Sequence, residues 1–155
     1  MSAYVGSSKN LKDLNYELGK QLIDLMGKRQ RFRDQGEEMC QVASILSGVG
    51  KQQEASLYYH KARKVGEAHG FFSVECRACL GLGQEAMREG RYEEGLDLLR
   101  NALTVSRLSE NEGLSAWELP VLESLIDALF LAEAIDEVER SFNPKSGPYK
   151  LKLSP

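Results

Sequence analysis

Along most of this chain apolar residues return every three or four positions, the interval that lines one face of an α-helix. Leu11, Leu14, Leu18, Leu22, Leu25 and Phe32 share one such stripe. They predict a first helix of roughly 25 residues, capped by Ser7 or Ser8 and ended by Gly36. A second helix carries Met39, Val42, Ala43 and Leu46 and stops at Ser47-Gly48-Val49-Gly50. A third starts near Gln53 and runs through Ala55, Tyr59, Ala62 and Val65 to Gly70, a glycine C-cap followed by apolar Phe71. Ser73 is expected to cap a fourth helix, with Val74, Cys76, Cys79, Leu80, Leu82 and Ala86, that closes at Gly90. The fifth spans Tyr92 to Leu108.

Beyond a polar loop, Ser115 and Glu118 have the spacing of a capping box. A sixth helix crosses Leu119, Leu122, Leu125, Ile126, Leu129 and Phe130, with Pro120 in its first turn, and a short seventh uses Ile135, Val138 and Phe142. Pro144, Pro148 and Pro155 crowd the last dozen residues, so helix is expected to stop before them. Strand-like alternation is confined to Tyr149–Leu153. The expected organisation is all-α: an extension over 1–8, a helical domain over 9–142 and a non-helical tail over 143–155.

The chain also repeats itself. Val42 to Ala62 matches Leu82 to Ala102 without a gap, forty positions apart. Ala43 or Gly83 is followed by Gly50 or Gly90, then by Glu54 or Glu94, then by Ala62 or Ala102. A fainter third copy holds Ile126 and Val138. A fixed period over helix pairs marks a stacked solenoid, because each pair buries its apolar face only against its neighbours. The small residue admits the second helix closely, and the turn glycine supplies a left-handed cap. This reading predicts an α-α superhelical solenoid of about two and a half to three helix pairs preceded by a long N-terminal helix.

Leu82-Gly83, the turn Gly90-Arg91-Tyr92-Glu93-Glu94, and Leu99 with Ala102-Leu103 resemble a tetratricopeptide repeat, as do Ala43, Gly50, Ala55, Tyr59 and Ala62. The forty-residue unit is similar to the lengthened variety in Pins/LGN-type polarity scaffolds and kinesin light chains. Met39 and Cys79 replace the usual early aromatic, and Gly95 the usual alanine. The resemblance implies a concave groove lined by the first helix of each pair. In this register the groove would hold Cys40, Ser44 and Ser47, then Arg77, Leu80, Gln84 and Arg88, then Glu123, Asp127 and Phe130. Ser44, Arg77, Gln84, Arg88, Glu123 and Asp127 are the expected partner-binding set. The lysine–asparagine–arginine clamp of some such domains is replaced by Cys40, Ser44, Leu80, Gly81 and Asp127, which disfavours a receptor for C-terminal carboxylates.

Candidate chemistry is sparse. Cys76-Arg77-Ala78-Cys79 is a CxxC, but no strand precedes it and Cys79 falls in a core slot, so buried thiols are expected. His60 and His69 would have to converge from another helix to make a zinc site with them. His69 is expected instead to meet the last carbonyls of its helix. No phosphate loop or catalytic triad pattern occurs, so an enzyme, a metal centre and a cofactor are not expected. Lys28 to Arg33 reads as a basic helix end more than a nucleic-acid patch, and the formal charge of −3 gives no global pull toward nucleic acid.

Three cysteines fit a reducing compartment, and the start lacks a secretory apolar core, so a cytoplasmic location, with the nucleus open, is expected. Asp127 and Glu133 interrupt the longest apolar stretch, and no membrane span is expected. The function these features imply is a scaffold or adaptor that binds a protein or peptide segment in its groove. The alternatives are an assembly subunit using its outer surface and, less favoured, a helical-repeat RNA binder. Tyr149, Leu151 and Leu153 alternate with Lys150 and Lys152, and the stretch from Glu118 to Arg140 is acidic, a surface those lysines could meet. That tail could cover the C-terminal end of its own solenoid or a neighbouring copy's, a route to self-association.

Overall fold

The computed structural model describes residues 8–108 and 117–142. It consists of α1 (Ser8–Lys28), α2 (Phe32–Gly48), α3 (Gln52–His69), α4 (Phe72–Arg88), α5 (Tyr92–Leu108) and α6 (Glu118–Phe142). The described residues contain no strand. Each helix packs against the next in chain order, and the row α2–α4–α6 is also joined side to side. This is the all-α solenoid the repeat implies.

One turn geometry recurs every twenty residues. Gln30, Gly50, Gly70 and Gly90 have φ of 57°, 84°, 72° and 82°. The following amide closes each turn onto the carbonyl five residues back: Arg31 onto Met26, Lys51 onto Leu46, Phe71 onto Gly66 and Arg91 onto Ala86, all at 2.9–3.0 Å. This is the Schellman closure, in which a left-handed residue returns the chain onto its own helix end. Three of the four positions are glycine because a Cβ is costly there.

The first turn corrects the expected boundary. The first helix ends at Lys28, and both Phe32 and Gly36 belong to α2. Gly36 is a packing contact and not a stop: a Cβ added to it would meet Val74 Cγ1 at 2.6 Å. Two other boundaries differ. Ser73 lies inside α4, whose N-cap Phe71 makes no side-chain capping bond. The expected sixth and seventh helices are one 25-residue helix, α6, because Leu131 to Ala134 contains no residue that breaks a helix. Pro120 lies in its first turn, where its missing N–H costs nothing. The capping role read for Ser115 and the reading of the tail from 143 onward fall outside the described residues.

Two adjoining clusters form the core. One joins Ile23, Met39, Cys40, Val42, Leu46, Tyr59, Val74 and Leu82 across α1–α4. The other joins Cys76, Cys79, Leu80, Leu96, Leu99, Val105 and Val121 across α4–α6. α1 enters the first cluster through Ile23 and Gly19, where a Cβ would stand 2.7 Å from Val42 Cγ2. The stripe of leucines that marks it as a helix is exposed at Leu11, Leu14, Leu18, Leu22 and Leu25. Periodicity marks a helix with an apolar face but does not say which face its neighbour covers.

Candidate functional site

The row α2–α4–α6 is joined by hydrogen bonds between polar side chains. Gln84 Nε2 on α4 donates to Ser124 Oγ on α6 at 2.9 Å. Arg88 Nη1 donates to Ser47 Oγ on α2 at 2.8 Å, and Arg77 Nη2 donates to Gln41 Oε1 at 2.9 Å. All three donors lie on α4, at Arg77, Gln84 and Arg88, spacings that keep them on one helix face.

Two open hollows flank this ladder. Ser44, Ser47, Gln52, Tyr59, Gln84 and Arg88 border one of about 380 Å³ between α2, α3 and α4. Gln84, Arg88, Met87, Ser124, Asp127 and Leu131 border one of about 330 Å³ between α4 and α6. Gln84 and Arg88 belong to both, so the two hollows form one surface. Burial raises the Tyr59 hydroxyl above the ordinary phenol range, so it stays a neutral donor at the first hollow's wall.

Of the six residues expected to bind a partner, Ser44, Gln84, Arg88 and Asp127 meet on this surface. Arg77 stands apart from both hollows, with its guanidinium 5.3 Å from the Trp117 ring centre. Glu123 is exposed but takes the place of Gly83 in the repeat, a position that faces the next helix and not the groove. Cys40 and Leu80, also placed in the groove by register, are buried core residues. Cys40 packs in the α1–α4 cluster and Leu80 in the α4–α6 cluster.

Glu85 was not foreseen. Its carboxylate is buried beneath the first hollow and accepts from Ser56 Oγ at 3.3 Å. With the Gln52 amide turned nitrogen-inward, that nitrogen lies 2.9 Å from both Glu85 oxygens. Arg88 Nη1 stands 3.7 Å away. The signal was present: Glu85 occupies the slot of Ile45 and Leu125, an acid in an apolar column. A buried carboxyl of this kind persists where hydrogen bonds satisfy it, and here it also lies within ion-pair reach of Arg88, whose guanidinium bonds Ser47.

Cys76 and Cys79 are buried as expected, and Cys40, expected in the groove, is buried with them; all three are free. Burial pushes Cys40 and Cys76 up to about 12 and Cys79 up to about 11, the opposite of an activated thiol. Cys76 Sγ donates to the Ala102 carbonyl at 3.4 Å, and Asn101 Nδ2 donates to Cys79 Sγ at 3.5 Å. No cluster of three metal-binding side chains occurs among the described residues. His69 does not meet its helix carbonyls as expected. It stacks on Phe32 at 4.3 Å, with Phe71 at 5.7 Å. Among the described residues no helix is long and apolar enough to cross a membrane. Comparison with family models, curated proteins and solved structures found no match to the chain.

Proposed function

We propose that the chain is a tetratricopeptide-type scaffold or adaptor that binds a segment of another protein along the α2–α4–α6 face. The observation that carries this reading is the shared surface of Ser44, Gln84, Arg88 and Asp127, polar groups from three helices around two joined hollows. Groove recognition by helical arrays uses such convergent side chains for register and the hollows for anchors. The arrangement of charge gives the ligand a direction. An acidic residue fits beside Arg88, and a basic one fits beside Asp127.

The test selects binders from a displayed random peptide library against the 155-residue chain. Peptides enriched in an acid, losing at least tenfold affinity and much of their salt dependence with Arg88→Glu, support the reading. The unfolding midpoint of the variant reports that the fold is intact. Binders indifferent to that reversal would move the site elsewhere.

A further inference from the structure

The two ends of the solenoid carry complementary halves of the contact that repeats inside it. Within the array, α4 receives α5 through Cys79 and Gly83: Asn101 donates to Cys79 Sγ, and Leu99 lies against Gly83. α5 presents Ala102 in return, its carbonyl accepting from Cys76. α6 keeps the register of α4, since Gln84 and Ser124 pair forty residues apart. Leu119 and Ile126 of α6 therefore stand where Met39 and Cys79, then Leu46 and Ala86, are covered by a following helix. Those four are buried, whereas Leu119 is 66% and Ile126 51% exposed.

α1 shows the converse. Counted from the recurring turn, Leu22 takes the slot of Ala62, and the same forty-residue step leads on to Ala102. Both alanines are fully buried against the preceding helix, yet Leu22 is 38% exposed. Leu18 and Leu25, at the slots of Leu98 and Val105, are more exposed still. α1 is a second-of-pair helix without a first, and α6 is a first-of-pair helix without a second, among the described residues.

We infer that a second copy of this chain covers α6 with its α1, so that Leu18, Leu22 and Leu25 of one copy pack on Leu119 and Ile126 of the next and complete a helix pair between them. The contact joins two different faces, so it is heterologous and extends head to tail. It continues the α2–α3 and α4–α5 interfaces and leaves the groove open.

Sedimentation velocity of the full chain from micromolar to millimolar concentration tests this. Mass should grow past the dimer as concentration rises. Leu22→Glu alone and Ile126→Glu alone should each be monomeric. Their equimolar mixture should form a one-to-one dimer that grows no further, because one intact face remains on each partner. Leu18→Glu serves as a second α1 variant, and unchanged unfolding midpoints report the fold. A monomeric wild type overturns the inference. So does persistent association of Ile126→Glu alone, which would pair α1 with α1, or a mixture that stays monomeric. Association that appears only on truncation after Phe142 would also overturn it, assigning the cover of α6 to the tail.

Discussion

Gly83 of α4 and Leu99 of α5 meet so closely that a Cβ on Gly83 would fall 2.8 Å from Leu99 Cγ and 3.3 Å from the Gly95 carbonyl oxygen. The contact is reciprocal, because a Cβ on Gly95 would fall 2.6 Å from Met87 Sδ. The matched small residue of the preceding pair, Ala43, is likewise buried. Small residues forty positions apart therefore set the helix separation within each pair.

Gly83→Leu is expected to destabilise the chain by about 1–3 kcal/mol, as overpacking of a closed contact does. At this length that amounts to roughly 2–4 °C in Tm for each kcal/mol. Calorimetry checks it, and an unchanged Tm would remove the role assigned to the repeat glycine.

The recurring turn gives a prediction with two signs. Gly50 and Gln30 hold the same left-handed conformation, at φ of 84° and 57°. Gly50→Ala adds a Cβ that touches nothing within 4 Å, so its cost is conformational, about 1 kcal/mol. Gln30→Gly relieves the same strain and should raise stability by up to about 1 kcal/mol, offset in part by greater freedom in the unfolded chain. Denaturant midpoints should move in opposite directions.

Much of the architecture was legible because it rests on local chemistry. Gly50, Gly70 and Gly90 announce a left-handed cap that few other residues accept. Gln30 does not, since here a residue with a Cβ occupies that conformation, and so the first boundary was misread. The leucines of α1 were legible as a stripe, but the burial of its other face follows from Gly19 and Ile23 meeting α2, which no local pattern states. In the groove, the forty-residue register brought Ser44, Gln84, Arg88 and Asp127 together. The same register, applied to Gly83, would have placed Glu123 on another face. Glu85 carries no local mark of its burial beyond its place in the column of Ile45 and Leu125.

Glu85→Ala should destabilise the fold by about 1–3 kcal/mol, because Ser56 and the Gln52 amide lose a buried acceptor. It should also loosen Arg88 and weaken groove ligands without any contact to them. Chemical denaturation and peptide titration separate the two effects. A variant neutral in both would show that the carboxylate anchors nothing.

Burial holds the three thiol pKa values well above the ordinary value of 9.0, at about 12 for Cys40 and Cys76 and about 11 for Cys79. As pH rises the unfolded chain releases these protons first, so stability that is complete below about 9 declines toward 11–12. The unfolding midpoint should fall over that window, and less steeply in Cys76→Ala. At neutral pH a thiol reagent should react slowly until the chain unfolds, whereas rapid labelling of the native chain would contradict the burial of the cysteines.

The most direct test of the groove is amide chemical-shift mapping of the 155-residue chain with a library-selected peptide. The account predicts shifts clustered at Ser44, Gln84, Arg88 and Asp127, with the exposed leucines of α1 silent. Shifts confined to Leu18 and Leu22 on α1, or to Leu119 and Ile126 on α6, with the α2–α4–α6 face unmoved, would contradict it.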